Sequence, residues 1–259
     1  MSVLRAQNLT RIYGGSRGAV AVKAVDSINL TVERGEFVGI MGPSGSGKTT
    51  LLQLLGSIDR PTAGEVYVND QSLTALKGEQ LALFRRRHLG FIFQDYNLLD
   101  ALTIQENVMI PLVLAKRPVA EIEAKVNALA ARMGIADVLA HHPYECSGGE
   151  RQRAAAARAL IHGPALVLAD EPTGNLDSKS AKTLMESLAQ LNADEAATIL
   201  MVTHDPVSAS YCRRILFIKD GRIYTELRAG ADRPRFFQQI LDVLSTLGGD
   251  QYDAAYAGR

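Results

Sequence analysis

Residues 42–49 read Gly42-Pro43-Ser44-Gly45-Ser46-Gly47-Lys48-Thr49, a full G-x-x-x-x-G-K-[ST] run. Few short segments constrain a chain so tightly. Glycines free successive backbone N–H groups from Cβ clashes, so the loop can curl around a phosphate chain. A helix that follows offers its unpaired N-terminal donors and positive dipole end to the same anion. The flanks fit that geometry: Glu36–Met41 is predicted as a buried strand and Thr49–Leu55 as a helix stopped by Gly56. Within such a loop Gly42 through Thr50 line the phosphates. Lys48 reaches the β- and γ-phosphates, and the Thr49 hydroxyl completes a Mg²⁺ shell.

The chain has 259 residues, enough for one large domain or one domain with an inserted lobe. Lys plus Arg and Asp plus Glu both number 28, and this balance argues against a chain built to coat nucleic acid. Arg85-Arg86-Arg87-His88 is the one notable basic cluster and reads as a solvated helix end. Two cysteines, Cys146 and Cys212, lie far apart without metal spacing, as expected in a reducing, cytosolic setting. No window approaches the roughly 20 apolar residues that span a bilayer, and the first residues lack a signal-peptide core. A membrane role is therefore expected to come through a partner.

Strand signals dominate the first third: Ile28, Leu30 and Val32 alternate with polar neighbours, as do Val66 and Val68. From about Asp95 to Leu160 the pattern is helical, with Ile122, Val126, Leu129 and Met133 on one face and Gly134 as a stop. Strands return at Ala165–Ala169, Ile199–Val202 and Arg214–Lys219, and Leu184, Leu188 and Leu191 mark a helix between the first two. Asp220-Gly221 is a hairpin turn signal. The tail after Leu227 holds a short helix, Arg235–Leu247, and a polar, small-residue end. Alternating strands and helices imply a mainly parallel sheet with a second, helical lobe inserted.

Three further elements belong with the loop. Ala165–Glu171 is an apolar strand ending in two carboxylates, which a parallel sheet would aim at the ligand crevice. Asp170 is placed to hold Mg²⁺ and Glu171 to polarise an attacking water. His204 ends another strand and is a candidate γ-phosphate sensor, although a lone histidine there also reads as a turn residue. Gln94 closes the apolar run Leu89–Phe93 as a candidate bridge between Mg²⁺ and a moving lobe. Tyr13 is a candidate stacking partner for a base. In Cys146-Ser147-Gly148-Gly149-Glu150, Ser147 and Glu150 form a capping box before an alanine-rich helix. Its two glycines would leave the helix mouth bare for phosphate.

The phosphate loop, Gln94, Ser147-Gly148-Gly149, Asp170-Glu171, Asn175-Leu176-Asp177 and His204 stand in an order that resembles ABC-transporter ATPase subunits over residues 2–226. The resemblance implies an α/β P-loop NTPase fold: a RecA-like core with a mainly parallel sheet, an N-terminal antiparallel β subdomain and an inserted α-helical subdomain. It implies residues 1–226 as the nucleotide-binding domain, a helical lobe at about 95–160 and a tail at 227–259. ATP and Mg²⁺ follow, as does a head-to-tail homodimer in which Ser147 of one copy meets the γ-phosphate held by Lys48 of the other. Asp177 would communicate across that seam. Cys146 and Glu150 depart from the family's usual Leu and Gln; Glu150 keeps the capping geometry, so activity is expected.

Phe91–Asp100, Val202–Cys212 and Phe236-Phe237-Gln238 are similar to the bacitracin-type antimicrobial-peptide resistance ATPases, near the lipoprotein-release and macrolide-export ATPases. That likeness implies an integral-membrane permease partner, a place on the cytoplasmic face of the plasma membrane and a sensor histidine kinase reached through the permease. Two other classes compete. A soluble ABC ATPase acting on DNA or ribosomes calls for a long coiled coil or a second ATPase domain, neither of which is present. A small-molecule kinase gives no reason for Ser147-Gly148-Gly149. Lys48→Ala is expected to weaken nucleotide binding and stop hydrolysis, read by equilibrium binding and phosphate release, because no nearby cation replaces it.

Overall fold

The computed structural model describes residues 1–14 and 20–248. The polar end expected after Leu247 lies almost wholly outside the described residues. The elements run β1 (Ser2–Tyr13), β2 (Val22–Glu33), β3 (Phe37–Met41), α1 (Lys48–Leu55), β4 (Ala63–Val68), β5 (Gln71–Ser72), α2 (Gly78–His88), β6 (Leu89–Ile92) and α3 (Ile104–Leu114). They continue with α4 (Val119–Met133), α5 (Gly148–Leu160), β7 (Leu166–Asp170), α6 (Ser178–Glu195), β8 (Ile199–Val202), α7 (Pro206–Ala209), β9 (Arg214–Lys219), β10 (Arg222–Arg228) and α8 (Arg233–Gly248).

The main sheet has the order β10-β9-β3-β8-β7-β6. All neighbours in it are parallel except β10, which returns antiparallel to β9 through the Asp220-Gly221 turn. Both turn residues take positive φ, 50° and 74°, the backbone twist that a two-residue hairpin needs. A second, antiparallel sheet of order β2-β1-β4-β5 comes mostly from the N-terminal third.

Side-chain alternation along the central strands sorts two cores onto opposite faces of the main sheet. Phe37, Met41, Val167, Ala169, Ile199, Met201, Ile215 and Phe217 join the core formed with α3, α4, α5, α6 and α8. Val38, Ile40, Leu166, Leu168, Leu200, Val202, Leu216 and Ile218 join the core formed with α1 and the antiparallel sheet. Every second residue goes each way and both sets are apolar, so these strands read as continuous hydrophobic runs.

The inserted lobe is held by local chemistry as much as by apolar contact. α4 buries Ile122, Val126, Ala130 and Met133 and ends at Gly134, in the left-handed region at φ 62°. α3 starts at a capping box between Thr103 and Glu106. Its fully buried Asn107 accepts from the Leu99 N–H at 2.8 Å and donates to the Leu99, Leu102 and Thr103 carbonyls. One side chain therefore pins the loop that follows Gln94.

The tail helix is longer than its apolar pattern indicates, at 16 residues. It buries Phe236, Ile240, Leu244 and Leu247 in the same core as α5 and α6. Arg233 lays its guanidinium over the Tyr211 ring and donates to Ser210 Oγ at 3.0 Å, fastening the helix just behind α7. Phe236→Ala should cost about 3–5 kcal/mol of unfolding free energy, the usual range for a buried aromatic. A denaturant titration checks this, and a near-neutral result would mean that α8 is peripheral to the core.

Candidate functional site

Parallel strands put their C-terminal ends on one edge, so β3, β6, β7 and β8 deliver Gly42, Gln94, Asp170 and His204 to the same side of the sheet. The phosphate loop leaves β3 there. At Gly47, φ is 97°, and a Cβ would strike the Ala24 carbonyl oxygen, so only glycine fits. That residue is also the N-cap of α1, with no side-chain cap and no acid in the first turn. The leading N–H groups of α1 are thus left for an anion.

Lys48 Nζ donates to the Gly42 and Pro43 carbonyls, each at 2.9 Å. Burial pulls its pKa below the usual lysine range, against the pull of Glu171 and Asp170. A half-buried ammonium held only by neutral carbonyls sits inside the loop, an arrangement suited to a polyanion.

Thr49 Oγ1 donates to Asp170 Oδ1 at 3.2 Å, bringing hard oxygen donors from α1 and β7 side by side. One carboxylate, one hydroxyl and the substrate's phosphate oxygens form a donor set that suits Mg²⁺, which keeps several waters rather than an all-protein cage. Burial raises the Asp170 carboxyl above its ordinary range, and the Glu171 charge adds to this.

Glu171 lies in the left-handed region at φ 47°, a conformation that a non-glycine residue adopts only when its surroundings hold it there. The hold is visible. Its N–H donates to the Val202 carbonyl at 3.0 Å, and its own carbonyl accepts from Gly174 N–H at 3.0 Å. His204 Nδ1 stands 2.9 Å from Glu171 Oε2, and the His204 backbone N–H donates to the same oxygen at 3.3 Å. Two of the three candidate catalytic residues, Glu171 and His204, are therefore partners, with His204 exposed and Glu171 largely covered, while Lys48 stands in the phosphate loop.

No hydrogen bond joins Gln94 to Thr49 or Asp170 among the described residues. Its side-chain amide donates to Asn175 Oδ1 at 3.0 Å, and Asn175 Nδ2 returns bonds to the Gln94 carbonyl and Asp95 Oδ1. Two amides match donor to acceptor more completely than either would beside a carboxylate and a hydroxyl. Asp177 caps α6, accepting from the Lys179 and Ser180 N–H groups at 3.0 Å each.

Tyr13 donates to Asp59 Oδ2 at 2.8 Å and carries the Arg11 guanidinium over one ring face. No hydrogen bond joins it to the phosphate loop among the described residues.

Ser147 is exposed at the start of α5, and the Ser147–Glu150 capping box is complete. The glycines after it differ in role. Gly148 is half-buried beside the Tyr96 hydroxyl, whereas Gly149 is buried, and a Cβ on it would lie 2.6 Å from Ser180 Oγ. The second glycine therefore lets α5 approach α6 rather than baring the helix mouth.

Several connecting residues escaped the sequence reading. Arg158 donates to the Tyr96 and Asn97 carbonyls, Arg151 stacks over the Tyr96 ring, and Gln152 Nε2 donates to the Phe93 carbonyl at 3.1 Å. Arg151 and Arg158, two helical turns apart on one face, were the available signal. Together they tie α5 to the stretch after Gln94, where Tyr96 and Asn97 both have positive φ.

Comparisons with known proteins agree with this geometry. The family model described as "ABC transporter" matches residues 25–174. The chain is 57% identical to the uncharacterized ABC transporter ATP-binding protein YvcR of Bacillus subtilis (strain 168), covering 98% of both. It is 50% identical to the bacitracin export ATP-binding protein BceA of Halalkalibacterium halodurans, covering 98% of this chain and 100% of that protein. The dimeric post-hydrolysis structure of the ATP-binding cassette MJ0796 of Methanocaldococcus jannaschii, bound to ADP and Pi, superposes with a TM-score of 0.80 at 37% identity. That match covers 88% of this chain and 100% of the other.

The raised Asp170 carboxyl has a checkable sign. The folded state holds this proton more readily than the unfolded chain, so ionised Asp170 costs stability. The cost is absent below the unfolded pKa and grows as pH rises through the raised folded value. Asp170→Asn keeps an acceptor for Thr49 and should raise the melting temperature of the nucleotide-free protein at neutral pH. The same variant should lose the rise that ATP with Mg²⁺ gives the native chain. Scanning fluorimetry reads both, and an unchanged nucleotide-free melting temperature would remove the charge argument.

Proposed function

This chain belongs to the ABC transporter family as an ATP-binding, ATP-hydrolysing subunit, and we propose that it works as a homodimer with an integral-membrane permease in antimicrobial-peptide resistance. One observation carries the dimer. The capped mouth of α5 is exposed at Ser147, and no hydrogen bond among the described residues joins it to this chain's own phosphate loop. A helix mouth that does not serve its own loop is available to the loop of a second copy. The dimeric state named for the MJ0796 cassette favours the same arrangement.

In this reading the uncapped α1 mouth and Lys48 bind the triphosphate, with Gly42 through Thr50 wrapped around it. Thr49 and Asp170 would hold Mg²⁺, which supplies positive charge against the phosphates. Glu171 orients the attacking water, and His204 keeps one of its carboxylate oxygens in register near the γ-phosphate. Asp177, at the head of α6, faces the seam between copies. Tyr13, already stacked with Arg11, offers its other ring face to adenine. Positioned charge, rather than covalent chemistry, supplies most of the rate.

The permease is supported by a groove just beyond Gln94. Phe91, Phe93, Ile110, Pro111 and Leu114 make its apolar floor. Arg86 and Arg87 edge it, and Lys116, Arg117 and Lys125, the last paired with Glu121 at 3.0 Å, extend it. This surface suits a cytoplasmic permease helix with an apolar face and acidic flanks. The chain would then sit on the cytoplasmic face of the plasma membrane through that partner. None of its described helices is long and apolar enough to cross a membrane. A sensor histidine kinase would be reached through the permease.

The peptide class rests on likeness to the bacitracin export relative. Likeness to macrolide export ATP-binding/permease proteins, 43% identical over 91% of this chain, favours a second reading as an exporter of that type or of lipoproteins. Co-purification with the permease, followed by ATPase assays in liposomes, separates them. Several-fold stimulation by bacitracin-like peptides is the expected result. Stimulation by macrolide or lipoprotein instead would transfer the assignment to the second reading, and failure to retain any permease would end both.

A further inference from the structure

The two helix mouths that the proposed dimer brings together are built in opposite ways. α1 begins at an uncapped glycine with no acid in its first turn. α5 begins at Ser147, whose Oγ accepts from the Glu150 N–H at 3.3 Å, while Glu150 Oε2 accepts from the Ser147 N–H at 2.8 Å. A third bond is decisive: the Ser147 hydroxyl itself donates to the same Glu150 oxygen at 2.7 Å. A serine hydroxyl carries one proton, and an ionised carboxylate accepts but never donates. These Ser147 bonds also hold the Glu150 carboxyl below its ordinary range, with Arg153 and His141 nearby.

The proposed sandwich asks Ser147 to donate to the γ-phosphate of a second copy, and the present inference rests on that reading. To do so, Ser147 must turn its hydroxyl proton away from Glu150, leaving a carboxylate held only by the Ser147 backbone N–H beside an incoming polyanion. The same charge opposes the anion at the positive end of the α5 dipole. We infer that Glu150 is a positioning residue that holds the Ser147 proton and weakens closure of the homodimer over ATP. Gln at this position would keep an acceptor for the Ser147 N–H, remove the charge and offer amide protons of its own. Closure would then be favoured by nucleotide alone. With Glu150 in place, more of the drive must come from outside the nucleotide site.

Sedimentation velocity on the full chain tests this, comparing Glu171→Gln with Glu171→Gln/Glu150→Gln in ATP and Mg²⁺ over a series of NaCl concentrations. The first substitution removes turnover, so binding and closure are read alone. The double variant should dimerise with a dissociation constant about tenfold lower, in keeping with one partly exposed charge at each of two seams. That advantage should shrink as salt rises, because exposed charges are screened. Equal dissociation constants would overturn the inference, as would an advantage that salt leaves untouched. If neither variant dimerises with ATP, the sandwich itself fails, a result distinct from either of the others.

Discussion

The two-faced burial of the parallel sheet is the constraint from which the rest follows. Strands such as β7 and β8 carry apolar side chains in both directions, so neither face can be left to water. Helices must cover one face, and α1 with the antiparallel sheet covers the other. The strands can neither reverse nor slip without exposing one set. Their C-terminal ends are thereby gathered on one edge, where backbone and polar side chains are free to meet a ligand. Asp170, Glu171, His204 and the phosphate loop meet there because the core leaves them no alternative.

That edge is an unbalanced electrostatic environment by itself. Two adjacent carboxylates and one partly buried ammonium share it, and Lys48 has no acidic ion-pair partner among the described residues. Burial pushes both Asp170 and Lys48 toward their neutral forms. A triphosphate with the proposed divalent cation would supply the missing charges of both signs. The strained Glu171 backbone belongs to the same design, since it turns a carboxylate at the end of a strand back toward His204. Stability is given up locally so that binding can restore it.

Much of this is legible in the sequence alone, for identifiable reasons. The phosphate loop, the strand ending in Asp170-Glu171 and the Asp220-Gly221 turn are encoded by neighbours in sequence, where glycine freedom or an unbroken apolar run leaves few options. β1 was harder to see: its register shifts around Asn8, at φ 49°, break the two-residue alternation that marks a strand. The Gln94–Asn175 amide pair and the Gly149–Ser180 approach join residues far apart in the chain, and no local pattern announces them. Ser147-Gly148-Gly149 read as a bare helix mouth because spacing gives no sign that a second helix lies against Gly149.

The β9–β10 turn does more than reverse the chain. Gly221 donates its N–H to the Ser46 carbonyl in the phosphate loop and accepts from the Asp26 N–H of β2, while Arg222 grips the Asp26 carboxylate. The phosphate cradle is thus moored to the N-terminal sheet by a hairpin tip. In the proposed homodimer, spent nucleotide would leave sideways, through the gap that opens when the two copies part. Product escape would then be geared to subunit separation, so the proposed membrane partner, by setting the spacing of the pair, would also set the pace of the cycle.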